Sequence, residues 1–581
     1  MNAKILTWTK KALLLVVAFT IIQCNSTNPP NFEAPLFDNL GDFNINVTTD
    51  SKYARRFFVQ GMVMANAFNH LEGARSLREA IRLDSTFSMA YWGLAYVLGP
   101  NYNTNNNMGE SMEIKEAARN AMKYSKNTQP WEKTLIEAID IKFPADSENV
   151  DEQAYADKMK EAYHSFPEND FIVTLYAESI MNQHAWDLYT RKGGQPKEWT
   201  PEIVGLLEDA IKLNPRNPLA NHLYLHAMEA SPEVEKALVS AERLKTLVPV
   251  AGHLIHMPSH IYINTGDYHA GSIANEKAVV VDSIYIAECK VQGAYPQLLY
   301  SHNYHFLAAT AAFEGRATRS IEATFKMAEI VESSYLREPG FETTQHYITV
   351  PYNTMVKFAQ WEKILALPRP DEDLEYLIAV WHYARGMALA NSGKLEMAKE
   401  ELSTVKELSE SEKIKNMMIW EINSCSDIVN ISALVLEGEI ARFENRFDDA
   451  AILFNKAILI EDNLNYNEPP DWFFSVRHLL GDLYMRMGEF AKAEEVYRED
   501  LTYWVKNGYS LNGLYHSLLG QERTEEAGKV KEQFEEAWKY AEIELKYSRV
   551  DENNRPEINL TLNEGTPQDL YYALAAFCGG K

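Results

Sequence analysis

Eight of the fifteen histidines of this 581-residue chain lie between positions 222 and 305. Their spacing is regular, since His256 follows His222 by 34 residues and His260 follows His226 by the same number. Two imidazoles four residues apart lie on one side of a helix, where they can bind one transition-metal ion. Zn, Cu and Fe all accept imidazole ligands, so the pattern predicts a metal site without selecting the metal.

Three short motifs carry most of these histidines: HLYLHAME from 222, HLIHMPSH from 253 and HNYH from 302. Glu229 ends the first motif and adds a carboxylate to the same helix face as His222. In the other two motifs an HxxH pair ends ten residues before a glycine, Gly266 or Gly315, which predicts equivalent places in neighbouring repeats. The predicted metal ligands are His222, His226, Glu229, His253, His256, His260, His302 and His305.

The histidine pattern leaves three roles open: metal binding, hydrogen bonding to an anionic or glycan ligand, and structural packing. Pro258 lies inside the expected helix, removes one backbone donor and is expected to kink or delay the helix, which would re-aim His253 and His256 or place them in a loop. Catalysis at a metal needs an open coordination position and a nearby acid or base. Glu229 fits either that base or a ligand, and the absence of an HExxH motif argues against a thermolysin-like hydrolase.

The elements that position these side chains are helices. From about residue 54, apolar residues recur at three- and four-residue spacing, which is typical of amphipathic helices. Gly438 and Phe454 have the same spacing as Gly481 and Tyr497, about 43 residues later. These segments resemble tetratricopeptide repeats. The resemblance implies an all-α fold, a tetratricopeptide-like α-solenoid of stacked helical hairpins, whose concave groove binds a protein or peptide partner.

The resemblance also suggests a division of the chain. An N-terminal array over residues 54–345 is expected to hold the histidine-rich groove, followed by a C-terminal array over 346–550 and a polar tail over 551–581. Trp92, Tyr96 and Glu178 are further candidates to line the groove, together with the turn 99–103. Aromatic faces there could stack on a glycan, and packing between repeats is the alternative role.

The first residues predict export. Lys10 and Lys11 precede an apolar run over 12–22, which as a helix rises only about 16 Å and is too short to span a bilayer. With Cys24 directly after it, this leader resembles a bacterial lipoprotein signal. The resemblance implies a signal peptide over 1–23, lipidation of Cys24 and a flexible tether over 24–53. An uncleaved signal anchor and a secreted protein with an unmodified cysteine are the alternatives.

The composition narrows the functional classes. A formal charge of −26 argues against a nucleic-acid partner, because phosphate contacts need clustered Lys and Arg. Four scattered cysteines predict neither a disulfide framework nor a cysteine-based zinc module. The chain is therefore expected to be a lipid-anchored binding protein of the cell envelope, similar to Bacteroidetes-type repeat lipoproteins, with a histidine metal site. A metal-dependent envelope enzyme and an accessory protein of polysaccharide utilisation are the alternative hypotheses.

Overall fold

The computed structural model describes residues 31–104, 106–147, 149–191, 193–472, 474–553 and 555–558. Within them the α-helices are α1 Lys52–Asn66, α2 His70–Leu83, α3 Ser88–Leu98, α4 Ser111–Tyr124, α5 Pro130–Lys142, α6 Glu152–Ser165, α7 Asp170–Gln183, α8 Thr200–Leu213, α9 Pro218–Met228, α10 Leu238–Leu247, α11 Gly252–His256, α12 Pro258–Thr265, α13 Tyr268–Cys289, α14 Ser301–Phe313, α15 Ala317–Ile330, α16 Thr343–Lys357, α17 Trp361–Ala366, α18 Glu375–Asn391, α19 Leu395–Ser409, α20 Glu412–Lys415, α21 Cys425–Phe443, α22 Phe447–Asn463, α23 Arg477–Met487, α24 Phe490–Tyr503, α25 Gly508–Gly520 and α26 Thr524–Ala537. Two short strands, β1 Met418–Ile419 and β2 Asn423–Ser424, pair antiparallel, with Met418 opposite Ser424.

Helices that follow one another in the chain pack against each other from α1 to α26. The predicted all-α solenoid of stacked helical hairpins is therefore confirmed. The small and aromatic residues of the repeat pattern form the hairpin contacts: a Cβ added to Gly438 would lie 2.6 Å from the ring of Phe454, and one added to Gly481 would lie 2.3 Å from the ring of Tyr497. These glycines let the two helices of a hairpin approach closely.

Replacing Gly481 with alanine is expected to destabilise the protein by about 1–3 kcal/mol, because the new methyl group overlaps the buried Tyr497 ring. The measurement is the shift of the denaturant midpoint. Gly528, on the exposed side of α26, has open space around the same position. Its change to alanine should leave stability unchanged or raise it by up to about 1 kcal/mol. Equal effects of the two changes would contradict this packing.

The buried apolar residues form two large clusters, one from Ala34 to Tyr262 and one from Ile263 to Ile558. The break between them lies within α12, whereas the sequence predicted the boundary between the arrays at 345/346. Helices distant in the chain also meet, since the Tyr268 hydroxyl donates to Val505 O at 2.9 Å and the Tyr509 hydroxyl donates to Ala312 O at 2.8 Å. The repeats therefore curve back on themselves.

The segments at the two ends of the described chain differ from their predicted character. Residues 31–51 belong to the predicted flexible tether, yet Val47 is buried and the Phe37 amide donates to Gln60 Oε1 on α1 at 2.8 Å. At the other end, Gln360 Nε2 donates to Pro556 O at 3.1 Å, so the start of the predicted polar tail is docked. Both corrections have one cause, namely that each segment carries apolar residues that cover the outer helices.

The predicted signal peptide and the lipidated Cys24 lie outside the described residues, as does the chain from 559 to 581. None of the helices in the described ranges combines the length and the apolar character needed to cross a membrane.

Candidate metal centre

The predicted ligands come from four helices of neighbouring repeats. His222 and His226 lie on α9, His253 and His256 on α11, His260 on α12, and His302 and His305 on α14, while Glu229 caps the end of α9. Helix α9 begins where Asn217 accepts the Ala220 amide at 3.0 Å and Pro218 occupies the first turn. Helix α12 ends at Gly266, whose φ of +75° is the left-handed conformation that a turn between hairpin helices requires.

Pro258 interrupts the second motif as the sequence predicted. The helix breaks at Met257, and Pro258 starts α12 at a position where its missing amide hydrogen is tolerated. All three histidines of the motif lie on helices, and His256 Nε2 lies 2.9 Å from His260 Nε2. The structure therefore does not place them in a loop.

The structure gathers the ligands into two triads that share no residue. The first triad is His222, His226 and His253, and the second triad is His256, His260 and His302. In each triad the candidate ligand atoms lie within 4.8 Å of one another. A third group, His226, Glu229 and His260, joins the two triads through Glu229. We call the two triads together with Glu229 the histidine centre.

Close nitrogen–nitrogen distances occur in both triads. His222 Nε2 lies 3.2 Å from His253 Nε2, and His256 Nε2 lies 2.9 Å from His260 Nε2. Two imidazole nitrogens that bind one ion at about 2.0–2.1 Å lie about 2.8–3.4 Å apart for angles between 90° and tetrahedral. Both pairs therefore have the separation of neighbouring ligands on one ion.

The opposite ring nitrogens are held by acceptors. His222 Nδ1 donates to the carbonyl of Asn66, which lies at the end of α1 and has no acceptor role within that helix. The Glu229 carboxylate accepts from His226 Nδ1 at 3.2 Å and from His260 Nδ1 at 2.6 Å. Such outer hydrogen bonds fix the ring orientation and leave Nε2 as the coordinating atom, which is the usual arrangement around metal-bound histidines.

The pair His256–His260 has an unusual consequence. Asn275 Nδ2 donates to Gly271 O, so its Oδ1 faces His256 and must accept the Nδ1 hydrogen at 2.7 Å. Because His260 Nδ1 donates to Glu229, neither neutral ring has a hydrogen left for Nε2. Two lone pairs then face each other at 2.9 Å, an arrangement that a bound cation would stabilise.

Burial controls the protonation of the histidine centre. Every member is at most 8% exposed. Burial, with a smaller contribution from the other imidazoles, lowers the pKa of His222, His253, His256 and His302 well below 6.5. Burial also lowers the pKa of His260, although Glu229 opposes it. These five rings are therefore neutral, which is the form that binds a metal ion.

His305 does not join either triad. Its ring packs 5.7 Å from the ring of His346 and 5.6 Å from that of Tyr347, both on α16. A position three residues after His302 is rotated by about 60° around the helix, which turns His305 toward the next repeat. The prediction of His305 as a ligand is corrected accordingly.

The other groove candidates are packed inside the first array. The Tyr96 hydroxyl lies 2.7 and 2.8 Å from the two carboxylate oxygens of Glu178, and the fully buried Trp92 stacks on Tyr96. Burial raises the pKa of Glu178 to about 7, although the Tyr96 hydrogen bond opposes the shift. The buried ring of Trp92 offers no face to a glycan, so its role is packing between repeats.

The histidine centre is enclosed, in contrast to the open concave groove that the repeat resemblance implies. Phe68, after α1, packs on His222, and Glu468 reaches within 3.9 Å of His260 Nδ1. Glu468 also accepts hydrogen bonds from Asn264 and Tyr466. No sequence motif marks Phe68, Tyr466 and Glu468, because these residues reach the histidine centre from distant parts of the chain.

A cavity of about 460 Å³ adjoins the histidine centre. Four histidines of the centre, His226, His253, His260 and His302, line this cavity. Asn101 and Asn103, from the turn that the sequence analysis selected, lie in the wall. The rest of the wall is largely apolar and aromatic, including Phe68, Trp186, Leu298, Phe341 and Trp420. This size and lining are typical of sites for small molecules.

Comparison with known proteins agrees with the repeat architecture. A tetratricopeptide-repeat family model matches residues 474–499. This segment contains the Gly481–Tyr497 contact. Similar solved structures include an IFIT1 monomeric mutant with Gppp-AAAA (15% identity, 84% of this chain and 91% of that chain, TM-score 0.31) and the human IFIT1 dimer with m7Gppp-AAAA (14%, 84% and 90%, TM-score 0.30). The APC/C hetero-tetramer Cut9-Hcn1 is another (14%, 84% and 74%, TM-score 0.29). No curated protein sequence matches the chain.

Proposed function

We propose that this chain is a metalloprotein built on a helical-repeat scaffold, and that its histidine centre binds a transition-metal ion beside the cavity. The observation that carries the proposal is the pair of Nε2 atoms of His256 and His260, which face each other at 2.9 Å with both Nδ1 atoms engaged as donors. A cation between or beside them would relieve the repulsion of the two lone pairs, and three imidazoles converge there.

A metal ion fits this position better than a proton. A shared proton would place an imidazolium in a fully buried site, and burial lowers the pKa of both His256 and His260. A metal ion instead uses the lone pairs of neutral rings, and His302 supplies a third nitrogen. Imidazole ligands suit Zn, Cu and Fe, so the cofactor is one of these ions.

The test is elemental analysis of the purified protein and of metal-free protein reloaded with Zn²⁺, Cu²⁺ or Fe²⁺. At least one equivalent of one of these metals is expected, and His256→Gln should reduce the content. His305→Gln is the matched control, because His305 is an equally buried imidazole on the neighbouring helix that lies outside the triads. If wild-type protein retains no metal after reloading, the proposal is overturned. The cation shared by His256 and His260 is then a proton.

The cavity favours a second, related candidate function, that of a metal-dependent enzyme. An ion held by the second triad would lie beside a space that admits a small molecule and excludes a folded protein partner. An open coordination position there can polarise a bound ligand. Adding azide to Co²⁺-loaded protein should change its visible spectrum if the position is open, whereas an unchanged spectrum would identify a closed structural site.

The location that we propose is the cell envelope, with a lipid anchor at Cys24. Support comes from the leader alone, in which two lysines, an apolar run and Cys24 follow one another. In a bacterial host, Cys24 should incorporate labelled palmitate and the protein should fractionate with membranes. Cys24→Ser should abolish the label, and its persistence in that variant would contradict the proposed anchor.

A further inference from the structure

We infer that the histidine centre holds two metal ions, one in each triad. This inference rests on the proposed function and extends it to a second site. The first triad supplies its ligands from α9 and α11, and the second supplies them from α11, α12 and α14. His222 and His226 correspond to His256 and His260 one repeat later, so the second triad repeats the first along the solenoid.

The outer hydrogen bonds repeat together with the ligands. The first histidine of each triad donates its Nδ1 hydrogen to an oxygen of another helix. His222 donates to Asn66 O and His256 donates to Asn275 Oδ1, both at 2.7 Å. The following histidine, His226 or His260, donates Nδ1 to one oxygen of Glu229. Each triad therefore has two rings that are oriented for coordination through Nε2.

The first triad contains buried nitrogen atoms that the protein itself does not satisfy. His226 Nε2 and His253 Nδ1 have no hydrogen-bond partner, and both side chains are at most 4% exposed. With Nδ1 of His226 directed at Glu229, Nε2 of a neutral ring is a bare acceptor. An ion bound by His222, His226 and His253 would occupy that acceptor, whereas an empty site leaves it unpaired.

The triads also share their access to the cavity. His226 and His253 of the first triad and His260 and His302 of the second line the cavity, whereas His222 and His256 do not line it and are fully buried. Glu229 stands between the triads and contributes negative charge to both. Two divalent ions would thus face one cavity from adjacent positions, an arrangement that can hold one small ligand between two ions.

The experiment is a titration of the metal-free full-length protein with Zn²⁺, followed by removal of free metal and elemental analysis. Wild-type protein should retain close to two equivalents. His222→Gln and His253→Gln should each retain close to one, and His256→Gln should also retain close to one. His305→Gln should retain two. Circular dichroism and the melting temperature identify any variant that has failed to fold, and the two first-triad variants serve as replacements for each other.

Each outcome separates the two claims. Wild-type protein with one equivalent, or a folded first-triad variant that still binds two, overturns the second ion and leaves the proposed metalloprotein intact. Wild-type protein that binds none overturns both claims. Stoichiometry falling from two to one in variants of either triad supports the two-ion centre.

Discussion

Replacing Glu229 with glutamine is expected to weaken metal binding by about 10–100-fold. Glu229 accepts hydrogen bonds from His226 and His260, one in each triad, and is 2% exposed. The carboxylate orients both rings and offsets the charge of the ions, whereas an amide offers one oxygen and two hydrogens that oppose the ring N–H groups. Competition with a chromophoric chelator measures the change, which corresponds to about 1.4–2.7 kcal/mol.

Glu233→Gln is the matched control for this prediction. Glu233 lies four residues later, is exposed and pairs with Lys236 at 2.8 Å on the surface. Its replacement should leave the metal affinity unchanged. Equal metal affinities of Glu229→Gln and wild-type protein would show that the carboxylate does not support the ligands. If the metal-free variant then also melts at a lower temperature than metal-free wild-type protein, the role of Glu229 is purely structural.

Replacing Glu439 with glutamine is expected to lower the free energy of unfolding by about 3–5 kcal/mol. Glu439 on α21 is fully buried and accepts hydrogen bonds from two arginines, Arg442 and Arg549, at 2.9–3.2 Å. Removing the charge leaves both guanidinium groups without their shared partner. Denaturant unfolding measures the loss. Glu437→Gln is the control, because Glu437 lies on the same helix but pairs with Lys406 at the surface. This change should lower the free energy of unfolding by at most about 1 kcal/mol.

The same carboxylate predicts a dependence of stability on pH. Burial raises the pKa of Glu439, but Arg442 and Arg549 outweigh it and lower the pKa from 4.5 to about 2. Because the pKa in the folded protein lies below that in the unfolded chain, the contribution is complete above pH 4.5 and is lost as the pH falls toward 2. The difference in stability between wild-type protein and Glu439→Gln should therefore shrink over this range. A difference that stays constant would contradict the assignment.

The repeat pattern was sufficient to predict the helical hairpins, because the contacts that define a hairpin are local. Gly481 and Tyr497 are close in the chain, and their spacing reports directly on the approach of two consecutive helices. The same logic placed His222 next to His256 in space, since residues separated by one repeat occupy equivalent positions. Seven of the eight proposed ligands lie in the groups that could hold a metal ion.

The features that the sequence did not predict depend on contacts between distant parts of the chain. The carbonyl of Asn66 and the carboxylate of Glu468 reach the histidine centre from the first helix and from the segment after α22. No repeat spacing predicts such approaches, because they depend on the curvature accumulated over many hairpins. The division of the core within α12, and the docking of residues 31–51, were missed for the same reason.

The contacts between distant repeats of the solenoid limit how the number of hairpins in this protein can change. Open arrays of stacked hairpins commonly gain or lose units at little cost, because each unit touches only its neighbours. Here Tyr268 bonds to Val505, Tyr509 bonds to Ala312, and the Glu542 amide donates to Gly315 O at 2.9 Å. Inserting or deleting one hairpin between these partners would pull all three pairs out of register, so the ring-like closure fixes the number of units.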